Sequence, residues 1–290
     1  MRVHEAQRLA ARILTKAKRD SPALSARLLL AKVLATDRSG LLLKSEEVLD
    51  RKQGKAFFAL VRRRSRGEPL AYILGSREFY GLDFQVNAST LIPRPETEHI
   101  IECVLAQEST ERRLCFADLG TGSGNLGITL AYLCPNWRGL LIDISASALA
   151  QAKANTARHG LEKRLTCLRA DLGSLPLAQQ CLDVLVANPP YIAHEEKDLV
   201  MDEVLNFEPH LALFADNHGL AQLQAAIDEA SHHLLPGGRI YLEHGAEQGE
   251  AVRNLLQKNF TEVSTIRDLA GHERVSFGRL KKNSLILTKK

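Results

Sequence analysis

The chain has 290 residues, of which 45% are hydrophobic and 25% charged, enough for more than one domain with a sizeable core. No apolar run is long enough to span a bilayer, and the start, Met1-Arg2-Val3-His4-Glu5, carries no apolar signal region, so a cytoplasmic protein is expected. Charge is uneven: residues 1–76 hold 17 Lys and Arg against 7 Asp and Glu, a net +10, whereas the remainder is net −6, which invites a nucleic-acid or acidic-protein partner.

Residues 1–76 show helical periodicity without strand alternation and read as a small helical domain. Leu24, Leu28, Leu29, Ala31, Lys32 and Leu34 place apolar groups mostly on one face, after a helix start at Ser21-Pro22. Arg62-Arg63-Arg64-Ser65-Arg66 is the sharpest basic cluster, and it reads either as a docking patch or as a solvated helix face. Residues 79–91 alternate around turns at Gly81-Leu82-Asp83 and Asn87-Ala88-Ser89, so residues 77–92 are expected to form a β-hairpin linker. From Pro93 onward strands and helices alternate, which predicts an α/β domain over residues 93–290 with a parallel sheet and right-handed crossovers.

Within that domain, Phe116-Ala117-Asp118-Leu119-Gly120-Thr121-Gly122-Ser123-Gly124-Asn125-Leu126-Gly127 reads as a strand, a glycine-rich turn, and a helix through about Leu133. Gly122-x-Gly124-x-x-Gly127 also satisfies the dinucleotide fingerprint, with Asp143 a plausible distance beyond, so an NAD-dependent dehydrogenase is a rival reading. Asp118 weighs against it, because a carboxylate just before the glycines repels a pyrophosphate and suits a cationic ligand. Residues 140–143 read as a second strand ending in an acid, Asp143, placed to hydrogen-bond ribose hydroxyls. Residues 165–170 read as a third strand, followed by Asp171-Leu172 where an adenine could rest. The apolar run 182–187 is a fourth strand, stopped by Asn188-Pro189-Pro190-Tyr191. Asn188 and the Pro189 carbonyl could accept both hydrogens of a planar NH2 group, with Tyr191 covering its flat face. Ordinary turn formation is the plainer reading of Asn-Pro. Cys103, Cys115, Cys134, Cys167 and Cys181 are scattered and odd in number, which fits reduced thiols and argues against a disulfide framework or a zinc site. His232-His233 reads as a helix end, late strands are expected at 239–243, 262–267 and 274–279, and Lys281, Lys282, Lys289 and Lys290 as a frayed tail.

The order of Asp118, the glycine turn, Asp143 and Asn188-Pro189-Pro190-Tyr191 resembles class I S-adenosylmethionine-dependent methyltransferases acting on planar amino groups. Within them the chain resembles the HemK/PrmC family of protein-(glutamine-N5) methyltransferases over nearly its whole length. Segments carrying that likeness include Gly67-Glu68-Pro69, Pro93-Arg94-Pro95-Glu96-Thr97-Glu98, Glu208-Pro209, Glu243-His244-Gly245 and Gly271-His272-Glu273-Arg274-Val275. The resemblance implies a Rossmann-like, mostly parallel seven-stranded sheet with a small N-terminal helical domain joined by a β-hairpin. It implies S-adenosyl-L-methionine as cofactor, held by Asp118, Gly120, Thr121, Gly122, Ser123, Gly124, Asp143, Asp171, Leu172 and Asn188. It implies class-1 peptide chain release factors as protein substrates, the glutamine of their Gly-Gly-Gln motif meeting Asn188, Pro189, Pro190 and Tyr191, with no membrane and no direct nucleic-acid substrate. Two departures stand out: Ser25-Ala26 replaces the usual Asp-Ala, read as a helix-surface change, and Leu172 replaces the Trp of some members, which weakens stacking on the cofactor.

An amide nitrogen is a poor nucleophile, so direct displacement with both amide hydrogens held fits better than prior removal of a proton. Hydrogen bonds from a nitrogen that gains positive charge strengthen in the transition state. The alternative within enzymes is a nucleic-acid adenine-N6 methyltransferase that flips its base out of the stack. The alternative outside them is a binding module that uses the cofactor only to stabilise its fold.

Overall fold

The protein is described by a computed structural model that covers residues 1–282. Lys289 and Lys290 of the expected tail lie outside those residues. The described chain divides into two compact units: residues 1–76 with 201–207, and residues 77–200 with 208–282.

The first unit is helical: α1 (Val3–Lys16), α2 (Pro22–Val33), α3 (Arg38–Leu43), α4 (Arg51–Ser65) and α5 (Leu70–Leu74). Local chemistry sets several of these boundaries. Asp50 and Gln53 form a reciprocal capping box at α4, with Gln53 N donating to Asp50 Oδ1 at 2.7 Å and Asp50 N to Gln53 Oε1 at 3.0 Å. Asp37 caps α3 through Gly40 N at 2.7 Å. The core gathers Ala6, Ala10 and Leu14 of α1, Ala26, Leu29 and Leu30 of α2, and Phe57 and Val61 of α4. Two expectations about α2 are corrected. Leu24 is exposed, because the buried stripe runs through Ala26, Leu29 and Leu30 instead. Ser25 is only 1% exposed, so the replacement there is an interior one rather than a surface change.

The basic cluster divides as well. Arg64 is 1% exposed, paired with Asp20 and with Glu203 at 2.5 Å, and its guanidinium also donates to the Glu68 carbonyl at 3.0 Å. Arg63 pairs with Glu68, and Arg62 and Arg66 are exposed. Neither a four-arginine patch nor a fully solvated face describes it, since helical spacing turns Arg64 inward while its neighbours stay out.

The second unit opens with a hairpin, β1 (Ser76–Phe79) and β2 (Leu82–Gln85). Its turn is Tyr80-Gly81, both at positive φ, which is tighter and one residue earlier than the expected Gly81-Leu82-Asp83. Then follow α6 (Glu98–Gln107), β3 (Cys115–Leu119), α7 (Asn125–Leu133), β4 (Arg138–Asp143), α8 (Ala146–Arg158), β5 (Leu165–Arg169), β6 (Leu182–Ala187) and the short β7 (Ile192–Ala193). The chain then enters α9 (Asp202–Phe207), which belongs to the first unit, and returns for β8 (Phe214–Ala215). The end of the unit is α10 (Ala221–His233), β9 (Leu234–Glu243), α11 (Gly249–Gln257), β10 (Phe260–Arg267) and β11 (Glu273–Leu280).

Seven strands form one sheet in the order β10-β11-β9-β6-β3-β4-β5, antiparallel at β10 and β11 and parallel elsewhere. Both faces are covered, so inner strands alternate between two cores. Phe116, Val184 and Val186 join one cluster with Trp137 and Ile100; Ala117, Leu119, Leu185 and Ala187 join the other with Leu223 and Ile227. The strand order reverses between β3 and β6, and a crevice opens at the carboxyl ends of the strands at such a switch. Lys281 is not frayed: its ammonium donates to the Gln257 and Lys258 carbonyls at the end of α11.

Candidate active site

A cavity of about 270 Å³ lies at that carboxyl edge, near the lower end of the range for small-molecule sites. Each parallel strand delivers a different group to it. The end of β3 supplies Asp118, and the turn after it supplies Gly120, Thr121, Gly122 and Ser123. The end of β4 supplies Asp143, the segment after β5 supplies Asp171 and Leu172, and the end of β6 supplies Asn188 and Pro190. Gly124, Pro189 and Tyr191 are not among the lining residues.

The donor side is set by two carboxylates. Asp118 is buried; its Oδ2 accepts from Thr121 Oγ1 at 2.6 Å and from Gly127 N at 2.9 Å, while its Oδ1 has no partner. Burial pushes its pKa up to about 6, and the neighbouring Asp143 adds to the rise. Gly127 allows that approach, because a Cβ there would sit 2.3 Å from Leu141 Cδ2 and 3.1 Å from Asp118 Oδ2. Gly120, at φ +68°, has open space where its Cβ would be. Asp143 is held in place by backbone amides, Gly122 N on Oδ2 and Ser145 N on Oδ1, each at 2.9 Å. An unpartnered buried carboxylate oxygen, a second carboxylate one strand away and an open glycine cradle fit a ligand with a cationic end and a hydroxylated sugar. S-adenosyl-L-methionine is such a ligand.

Asn155 of α8 braces this turn. Its amide exchanges hydrogen bonds with Gln85 N and O at 2.8 and 3.0 Å and donates to the Ser123 carbonyl at 2.8 Å.

The acceptor side is built around Asn188. Its Nδ2 donates to Thr97 Oγ1 at 2.9 Å. Thr97 is buried, as is the carboxylate of Glu243 at the end of β9. The Tyr191 hydroxyl donates to Glu243 Oε1 at 3.2 Å, and its pKa is raised chiefly by burial and then by that carboxylate. Tyr191 therefore points its polar end at Glu243 and packs its ring among the core residues of the α10 face, rather than lining the cavity as expected. One wall is clamped by Glu208, which accepts from Arg94 Nη2 at 2.5 Å and from Ile92 N at 3.0 Å.

Thr97, Glu243 and Asn155 were not singled out as site residues by sequence reasoning. Thr97 and Glu243 sit in segments that carry the family likeness, which was the available signal. Nothing in the local pattern marks Asn155, which acts through fold geometry alone.

The sheet order and the strand-end cavity define a class I methyltransferase domain. Residues 112–283 match a methyltransferase domain family, and the fold resembles a methyltransferase from Pyrococcus furiosus at 17% identity and a TM-score of 0.52, over 70% of this chain and 90% of that one. Residues 5–75 match the PrmC N-terminal domain. The chain is 42% identical to the release factor glutamine methyltransferase of Nitratidesulfovibrio vulgaris, over 95% of this chain and 92% of that protein. It is also 42% identical to that of Bordetella pertussis, over 89% and 95% respectively. The chain belongs to the release factor glutamine methyltransferase family.

Proposed function

We propose that this protein transfers a methyl group from S-adenosyl-L-methionine to the side-chain amide N5 of the glutamine in the Gly-Gly-Gln motif of class-1 peptide chain release factors. The observation that carries it is the fixed amide of Asn188: with Nδ2 committed to Thr97, Oδ1 is left as an acceptor beside the donor cavity.

S-adenosyl-L-methionine supplies an electrophilic methyl on a sulfonium. The protein supplies position and electrostatics. Asp118 Oδ1 would take the ammonium of the methionine end, Asp143 the ribose hydroxyls, and Asp171-Leu172 the adenine. Asn188 Oδ1 and the Pro189 carbonyl accept the two hydrogens of the substrate amide. That keeps electron density on nitrogen and holds it in line for displacement; the carbon–nitrogen bond forms as the sulfur–carbon bond breaks, and the nitrogen then loses one of its two protons to water. Alignment of this kind is worth roughly 7–11 kcal/mol. Pro190 stiffens the strand end so that the two acceptors keep their spacing. The helical unit serves the protein substrate, through the exposed Arg62 and Arg66. A release factor substrate goes with a cytoplasmic location; among the described residues no helix is long and apolar enough to cross a membrane.

The test is methyl incorporation from tritiated cofactor into a release factor, into its Gly-Gly-Ala variant, and into DNA and RNA. Label in the first alone is the expected result. Label in nucleic acid alone would overturn the reading in favour of an adenine-N6 methyltransferase.

A further inference from the structure

We propose that Gln248 is a positioning residue for the acceptor step: its side-chain amide fixes the Tyr191 carbonyl and so holds Asn188-Pro189-Pro190-Tyr191 at the spacing that transfer needs. This inference rests on the reaction proposed above.

The tetrapeptide has few ways to hold itself. The pairing of β6 with β3 and β9 stops at Ala187. Pro189 and Pro190 have no N–H, so neither can donate to a neighbouring strand. Backbone anchors lie at the far end, where Ile192 N donates to the Leu213 carbonyl at 3.0 Å and the Tyr191 carbonyl accepts from Gln248 Nε2 at 2.9 Å. The orientation of the Gln248 amide is settled by its partners. Its Oε1 accepts from Gly245 N at 2.9 Å, and its Nε2 also donates to the His218 carbonyl at 3.3 Å. All three partners are backbone groups: an N–H can only donate and a carbonyl can only accept. A reversed amide would set NH2 against N–H and oxygen against two carbonyls. No titratable group enters, so the orientation holds at every pH.

Three segments meet at this side chain: the tetrapeptide after β6, the turn before α10 and the turn before α11, all in the second unit. The middle one is strained. Asn217, His218 and Gly219 stand in succession at φ +54°, +53° and +79°, a region that disfavours the first two. At Gly219 a Cβ would also stand 2.1 Å from the Tyr191 carbonyl oxygen and 2.6 Å from Gln248 Nε2, so the turn packs directly on the same hydrogen bond. The helix that this turn starts, α10, brings Gln222 to the cavity wall. One amide thus ties the acceptor segment to the wall of the cavity. The Tyr191 carbonyl is two residues from that of Pro189, with the ring of Pro190 fixing φ between them. Movement of the first is therefore passed on to the second rather than absorbed.

The experiment uses the full chain and a Gly-Gly-Gln peptide, with S-adenosyl-L-methionine saturating at each pH. Gln248→Met keeps the length of the side chain and removes its polar contacts. Its kcat should fall about 10- to 100-fold, the scale of loss when reacting groups are displaced by up to about 1 Å, while cofactor affinity by calorimetry stays within about threefold. Gln248→Glu keeps the acceptor for Gly245 N, but its ionised form turns an oxygen on the Tyr191 and His218 carbonyls, and only its protonated form can donate to them. Relative to wild type, kcat of Gln248→Glu should therefore recover as pH falls from about 8 to about 5.5, whereas the ratio for Gln248→Met should stay flat. A Gln248→Met enzyme within about twofold of wild type would overturn the inference, as would a loss of kcat matched by an equal loss of cofactor affinity. A pH-independent ratio for Gln248→Glu would do so too, and this variant decides the matter even if Gln248→Met does not fold. Absence of methyl transfer to the peptide by the wild type is a different result: it removes the proposed reaction itself and this inference with it.

Discussion

Asp118→Asn should weaken cofactor binding while leaving the unliganded protein as stable as before, or more so. Asp118 is fully buried with a pKa lifted from 3.8 to about 6, so at pH 7.5 its charge opposes folding. A shift of about two units corresponds to about 3 kcal/mol held against the folded state. Because the folded pKa is raised, this penalty is absent below pH 4, grows as pH rises from 4 to 6, and is complete above 6. Asparagine removes it. Its Oδ1 can take the bonds from Thr121 and Gly127, which puts the NH2 where Oδ1 of Asp118 now has no partner. An unpaired buried NH2 costs about 1–3 kcal/mol, so the net change at pH 7.5 lies between zero and about +2 kcal/mol. For a chain of this size that is a melting temperature unchanged or raised by roughly 2–8 °C. Cofactor affinity moves the other way. A charge-assisted bond to the ligand ammonium is lost, about 1.5–3 kcal/mol, which is roughly 10- to 200-fold in Kd. In the wild type, affinity should likewise fall as pH drops through 6 and the carboxylate is protonated. Scanning calorimetry of the free protein and titration calorimetry with S-adenosyl-L-methionine measure both. A variant that binds normally, or one destabilised by more than about 2 kcal/mol, would refute the reasoning.

Asn188→Ala should lower the transfer rate by about 10²–10³ while leaving cofactor affinity within about tenfold, read by single-turnover methylation and calorimetry. Asp143→Ala should raise the cofactor Kd by about 10- to 200-fold, since it removes a charged ribose partner; unchanged affinity would displace that carboxylate from the site. Arg64→Ala should destabilise by about 3 kcal/mol, the low end for breaking a buried pair because both carboxylate partners reach solvent, whereas Arg62→Ala should stay within about 0.5 kcal/mol in urea denaturation. Neutralising Arg62 and Arg66 together should lower kcat/KM for an intact release factor and blunt its salt dependence, with no change for a short Gly-Gly-Gln peptide, because exposed charges steer association and are screened beyond about 8–10 Å.

Strand positions were legible wherever a run is apolar on both sides, as in β3 and β6, because burial of both faces leaves a nearly continuous apolar run, broken only by Asp118 and Asp183. Ends were less legible: β9 starts at Leu234, five residues before the expected 239, and takes in Pro236, Gly237 and Gly238, residue types that strands disfavour. Glycines, acids and Asn188 announced a site because each residue type has one evident use at a strand end. The residues that orient them did not. Thr97 lies 91 positions from Asn188, and Glu243 52 positions from Tyr191, and only the folded sheet brings them together. Arg64 was misread for a related reason. Its partner Glu203 is 139 residues away, so no local pattern separates it from its exposed neighbours.

The helical unit is assembled from two stretches of chain, residues 1–76 and 201–207. On the ribosome the first stretch emerges long before the second. Until Phe207 has left the exit tunnel, the guanidinium of Arg64 has Asp20 but lacks Glu203, and Gly67 lacks the ring of Phe207 beside it. The first-made helices are therefore completed by a late-made piece, and they reach full stability only after β3 to β6 have been synthesised. A nascent chain that has emerged from the tunnel only as far as residue 200 should present this unit in a loosened, protease-sensitive form, and the emergence of seven further residues should close it.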